Sequence, residues 1–259
     1  MRGRFGFGRE GAQPDPSAVE LVLGELELTD QWVTGHVVIR AGGRALELQG
    51  LDARLVADAY DEDGGRSELE IGWLDVGDSW FTLAPGEERQ VTFRRRLSWE
   101  CPFTEYGGQD FGIGLAVRAT LNTRAGELGF RSEAALRVPP PVAVAAAIGA
   151  FGELGYTERS ARVIADYIPD SDQYNEGYQS LFLTDPARGK RKLPRLELSF
   201  VTNAVGTMVH LRRAAPNLYE WASKPKTVTF AVAHHEVAHA DLAARAGAAL
   251  EDLRALYRT

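Results

Sequence analysis

Between residues 19 and 138 the apolar side chains recur at every second position. Val33, Gly35, Val37 and Ile39 alternate with Thr34, His36 and Arg40, and Leu51, Ala53, Leu55 and Ala57 alternate with Asp52, Arg54 and Asp58. A period of two is that of a β-strand with one face in a core and the other in water. The same reading covers Leu69, Ile71 and Trp73, then Val91, Phe93, Leu97 and Trp99, then Ile113, Leu115, Val117, Ala119 and Leu121, and it makes Trp73 and Trp99 core residues. In the first strand the parity slips, from Val19, Leu21 and Leu23 to Leu26 and Leu28, and Gly24 stands at the slip as a bulge requires. Turn signals at Gly42-Gly43, residues 61–65, Pro85-Gly86 and Gly107-Gly108 separate the runs. Many short strands with frequent turns predict a β-sandwich.

Pro139, Pro140 and Pro141 interrupt this pattern, because three prolines fit neither a sheet ladder nor a helix interior. Val144, Ile148 and Phe151 then fall at helical spacing and Gly155 marks a stop, which predicts one short helix. Strand patterns resume at residues 178–183, 196–201, 208–211 and 228–232, with Asn203, Ala204, Val205 and Gly206 as the tip of a hairpin. A closing helix is capped by Asp241, and Leu242, Ala246, Ala249, Leu250, Leu253 and Tyr257 form its apolar stripe. The expected organisation is a mainly β chain: a flexible tail over 1–17, a β-sandwich over 18–138, and a second β-sandwich with an opening and a C-terminal amphipathic helix over 139–259.

The 259 residues are 44% hydrophobic and 25% charged, enough for two packed cores and too apolar for a disordered chain. With 29 Lys and Arg against 36 Asp and Glu the net charge is −7, which disfavours nucleic acid as a principal partner despite the basic runs at 94–96 and 188–195. Cys101 is the lone cysteine, which excludes an intrachain disulfide and a multi-cysteine zinc site and fits a reducing compartment. Residues 1–17 lack the apolar run of a signal peptide, and the most apolar stretch, 142–151, is about half of the roughly 20 residues a membrane helix needs. The expectation is a cytoplasmic protein.

One segment has the form of a catalytic motif. His235, Glu236 and His239 match H-E-x-x-H, in which two histidines one helical turn apart bind zinc and the glutamate activates water. The spacing serves a metal only on a helix, yet here a strand pattern runs up to residue 233 and helix signals begin at Asp241. No third ligand stands at the extended-motif positions, which are Leu242 and Arg245, and Glu251 would lie about 18 Å along a continuous helix axis. The expected role of 235–239 is a polar strand-to-helix connection, with a zinc hydrolase as the alternative.

Other constellations are weaker. Glycines at 3, 6 and 8 follow no strand and make a poor phosphate cradle. Cys101 reads as a small core or edge residue. Arg95 would share the inward side with Phe93 and Leu97, as a buried ion pair or domain contact, or else sit at a sheet edge. Asp58, Asp61, Glu62 and Asp63 crowd a turn that could attract a cation but reads first as a solvated hairpin tip. A ligand-binding sandwich using Trp73, Trp80 and Trp99 is a further option. No catalytic, cofactor-binding or metal-binding residue is assigned.

The order of features resembles the sporulation-control protein family, whose members have an arrestin-like fold. The resemblance rests on PGEERQVTF at 85–93, LAVRATL at 115–121, ELGY at 153–156, the aromatic strand ending in proline at 178–186, the paired strands LPRLELSF at 193–200 and 206–213, and the helix opened by Asp241 and Leu242. It spans roughly 18–258. The family's early proline-glycine-glutamate turn is replaced by Leu28, Thr29, Asp30 and Gln31, and of its acidic segment only Glu127 remains near 122–126. The resemblance implies two arrestin-like sandwiches acting as a non-enzymatic regulator or scaffold, with no catalytic residues and no cofactor to carry over. Its partners would be other proteins, as yet unidentified, in a developmental or stress-response process.

Overall fold

The alternation around Val33, Val37 and Ile39 becomes β3 (Trp32–Arg40), in which those three side chains are fully buried. In the computed structural model, which describes residues 20–61, 64–76, 81–123, 130–184, 196–214 and 226–258, β3 is the centre of a small antiparallel sheet. β1 (Glu20–Leu23) and β2 (Glu27–Thr29) share one side of it, and β7 (Glu88–Arg96) runs along the other. The slip at Gly24 is a break between β1 and β2, where the Gly24 N–H donates to the His36 carbonyl at 2.9 Å. The His36 imidazole packs directly over Gly24, in space that a β-carbon there would share.

The larger sheet is built on β4 (Leu46–Tyr60), a strand of 15 residues. It pairs with β10 (Leu115–Thr123) on one side and with β5 (Arg66–Leu74) and β6 (Phe81–Leu83) on the other, and β11 (Phe130–Ala135) extends the sheet past β10. Val33, Val37, Ile39 and Phe93 from the small sheet meet Leu51, Ala53, Leu55 and Leu121 from the large one in a single hydrophobic cluster. Two sheets closing on one core make a sandwich.

One strand departs from the sequence reading. Leu69 and Ile71 face the core, but the register slips opposite Leu55 and Val56: Val56 pairs with Glu70 and Leu55 with Gly72, leaving Ile71 as the inserted residue. Beyond this bulge the parity reverses. Leu74 takes the core position at 4% exposed, and Trp73, expected inside, is 51% exposed. Trp99 also lies outside the ladder, past the end of β7, and is half-buried.

After Pro141, α1 (Val142–Glu153) buries Val144, Ile148 and Phe151 and stops before Gly155, whose φ of +87° is the left-handed conformation glycine adopts at little cost. β8 (Glu105–Tyr106) and β9 (Gln109–Asp110) form a small hairpin ahead of it. β12 (Thr157–Ile164), β13 (Tyr178–Thr184), β14 (Leu196–Thr202), β15 (Gly206–Arg213) and β16 (Thr227–Ala233) then pair antiparallel in sequence order. The chain closes with α2 (Leu242–Leu256), capped by Asp241, whose carboxylate accepts from the Ala244 N–H at 2.8 Å. Both helices cover one face of these strands, and Phe151, Ile148, Ala246 and Leu250 join Leu181, Leu198, Leu211 and Val232 in a second cluster. A parallel contact of Ile164 with Tyr60 joins β12 to β4, so the large sheet runs through both halves of the chain. Among the described residues no helix is long and apolar enough to cross a membrane.

The face opposite the helices is largely polar, buried over β14 and β15 and exposed at Thr227 and Thr229 on β16. Ser180, Ser199, His210 and Thr229 are register partners across β13, β14, β15 and β16, and Phe182, Glu197, Arg212 and Thr227 form the next row. Glu197, 1% exposed, accepts from the Ser180 hydroxyl and from Arg212 Nη2, each at 2.5 Å. His210 is 7% exposed and its Nε2 has no hydrogen-bond partner among the described residues. Burial, reinforced by the Arg212 charge, holds its imidazole below the usual histidine range.

The expected tail over 1–17, the glycines of 3–8, Glu62, Asp63, Trp80 and the whole basic run 188–195 lie outside the described residues.

Two predictions follow from these cores. Phe151 is fully buried, so Phe151→Ala leaves a cavity and lowers the stability measured by urea denaturation by about 3–5 kcal/mol. His210 is depressed in the folded chain, so the unfolded chain binds protons more readily and the histidine's contribution is complete only above the ordinary value of about 6.5. It is lost as the pH falls from there through the folded value. In His210→Asn, the fall in Tm on acidification from about pH 7 to about pH 5 becomes shallower than in the parent chain.

Candidate functional site

Residues 234–239 are a succession of turns between β16 and α2, with the Glu236 N–H donating to Ala233 at 3.1 Å and the His239 N–H to Glu236 at 2.9 Å. The helix that would carry two imidazoles on one side begins only at Leu242. His235 and His239 are exposed. The Glu236 carboxylate is held by Arg245 Nη1 at 2.5 Å and by the Ala233 N–H at 3.0 Å, and these bonds, Arg245 foremost, keep its carboxyl below the usual range. Asp241 is committed to its cap and Glu251 pairs with Arg254. Among the described residues no three His, Cys, Asp or Glu side chains gather as a metal site. The geometry makes Glu236 a clasp between the end of β16 and α2.

Two other sequence candidates have local roles. Cys101 is buried and its thiol is pushed up to about 12 by that burial, far from the thiolate a nucleophile needs. Asp61 closes its own turn, accepting from the Gly65 N–H at 2.6 Å.

A large open concavity lies between the edges of β5 and β7, neither of which has a second strand partner among the described residues. It encloses about 870 Å³, floored by Leu55, Ile71, Leu74 and Leu97. Its rim is aromatic and cationic. The Arg94 guanidinium lies over the Trp32 ring at 4.4 Å and Arg96 over Trp99 at 4.9 Å, while Arg54, outside the lining, covers Trp73 at 3.8 Å. Arg95 is the register partner of Val33, so it shares the inner side of the sheet with Phe93. It nevertheless sits exposed at the end of β7, a sheet-edge position, and makes no ion pair among the described residues. Tyr174 stands at the mouth, 86% exposed, its loop tied down where the Tyr174 and Asn175 N–H groups donate to Glu100 at 2.9 and 2.8 Å. Burial raises the Glu100 carboxyl, and those two backbone bonds oppose the rise.

Trp99 links this groove to the second half of the chain. Its ring stacks on His234 at 4.9 Å, and His234 Nε2–H donates to the Asn203 carbonyl at 2.8 Å in the β14–β15 hairpin. A second concavity of about 820 Å³ continues past Trp99 and His234 to Pro140 and Val142, sharing Arg96, Leu97, Ser98 and Trp99 with the first. Sequence reasoning missed Trp32 and Tyr174 as rim residues. It also missed the polar rows of the second half, where Tyr178, Ser199, His210 and Arg212 line a cavity of about 350 Å³. The available signal was the interruption of apolar strands by Glu197, Ser199, His210 and Arg212.

The fold has a solved counterpart. The crystal structure of Spo0M, the sporulation control protein from Bacillus subtilis, superposes with a TM-score of 0.71 at 20% identity, covering 91% of this chain and 98% of that one. The structural genomics target SoR45 aligns at 21% identity over 50% of this chain and 91% of its own, with a TM-score of 0.27 that carries no argument. No curated protein sequence matches the chain. Residues 15–213 match the family model described as SpoOM protein, and with that match over most of its length the chain belongs to the Spo0M family of sporulation control proteins.

Proposed function

We propose that this chain is a non-enzymatic regulator or scaffold, working in the cytoplasm through contacts with other proteins in a developmental or stress-response process. Membership of a sporulation control family supports the regulatory part of this reading. The groove between β5 and β7 supports the contact part, because exposed tryptophans and arginines around an apolar floor are the side chains that dominate protein interfaces. In this reading residues 18–138 and 139–259 are two units that meet at Pro139, Pro140 and Pro141, with Trp99 and His234 in contact across them. The alternative zinc hydrolase is disfavoured by one specific observation: Glu236 is committed to Arg245 and Ala233 on a segment of turns.

Complementation of a strain lacking this chain separates the two. Glu236→Gln is expected to restore the regulated process as well as the parent chain does, whereas the double variant Trp73→Ala, Arg95→Glu, with an unchanged Tm, restores little or none of it. A hydrolase would give the reverse pattern.

A further inference from the structure

Resting on the protein-contact reading, we infer that the groove between β5 and β7 takes an extended acidic segment of a partner protein. Charge is the first argument. The chain carries a net charge of −7, yet Arg94, Arg95 and Arg96 stand together on the groove wall. Among the described residues none of the three makes a salt bridge, whereas Arg40, Arg54 and Arg118 on other parts of the same sandwich are each paired with carboxylates. Two acids also line the groove, Asp75 and Glu100, but Glu100 is engaged by the Tyr174 and Asn175 N–H groups. Arginine at a strand edge guards against edge-to-edge pairing, and that role alone would leave the side chains free in water. Here Arg94 and Arg96 are instead laid over Trp32 and Trp99, which holds their guanidinium groups in place along the wall.

Shape is the second argument. β5 and β7 flank the concavity with edges that have no further strand partner among the described residues, and an edge accepts an extended chain through main-chain hydrogen bonds while side chains enter alternate positions. Carboxylates on one side of such a segment meet Arg94 and Arg96, which share one face of β7, while Arg95 stands on the opposite face beside the floor. Apolar side chains on its other side meet Ile71, Leu74 and Leu97 on the floor.

The test uses the full chain and a fluorescein-labelled peptide of alternating glutamate and leucine, with a second peptide in which glutamine replaces glutamate. Fluorescence anisotropy at low salt is expected to show saturable binding of the glutamate peptide alone, weakened by added salt. Arg95→Glu is expected to weaken it about tenfold, Arg95→Gln by less, and Arg131→Glu, the same charge change on β11, to leave it unchanged. Equal binding of the glutamine peptide, or equal loss in Arg95→Glu and Arg131→Glu, overturns the inference. So does tighter binding of duplex DNA or phosphatidylglycerol vesicles than of the peptide. Absence of peptide binding alongside failed complementation by the groove variant overturns the acidic-segment inference and leaves protein contact standing. Peptide binding alongside full complementation by that variant overturns the protein-contact reading instead.

Discussion

The pairing of β4 with β5 across one inserted residue is the constraint on which the rest of the structure depends. β4 is the longest described strand, and together with its partners on both sides it carries most of the first core. Had β5 kept one register along its whole length, Trp73 would lie inside and Leu74 outside. The bulge at Ile71 exchanges them, so that the core is completed by Leu74 and the tryptophan is delivered to the groove wall. The same strand ends at Tyr60, whose contact with Ile164 carries the sheet into the second half. One element thus places the open groove and also couples it to the helix-covered sheet beyond.

Charge is distributed unevenly over this frame. On the outer faces, Arg118 bridges Glu68 and Glu133, Arg54 meets Glu70, and Arg40 lies between Glu20 and Glu88. Such exposed pairs each contribute only up to about 1 kcal/mol, and their main effect is to neutralise the sheet surface. The buried pair of Glu197 and Arg212 is of a different kind, since desolvation offsets much of its attraction and breaking it would leave a charge in the interior. It joins register partners on β14 and β15. Against this pattern of matched charges, the arginines at the end of β7 stand apart.

Much of the fold is legible in the amino-acid sequence where one strand face is cleanly apolar. β3, β10 and the β14–β15 hairpin are of this kind, and so are the two helices, whose stripes and Asp241 cap can be read directly. β12 is not legible because its apolar residues, Ala161, Val163 and Ile164, crowd one end of an otherwise polar run. The bulge is hidden for a different reason: Leu69, Ile71 and Trp73 alternate without a break, and only the pairing with Leu55 and Val56 shows where parity changes. The groove was the least legible feature. Its walls come from segments far apart in the chain, joined by tertiary contact alone. The motif at 235–239 shows the converse, since its residue types match a metal site while its backbone of turns does not supply the geometry.

The central claim is that the groove between β5 and β7 is where this regulator meets other proteins. Photo-crosslinking in living cells tests it most directly, with a photoreactive amino acid at Tyr174 on the rim and, as a comparison, at Glu153 near the exposed end of α1. The account predicts a discrete protein adduct from position 174, lost when Arg95→Glu is added and not formed from position 153. An absence of adduct at position 174, or the same adduct from both positions, would contradict it.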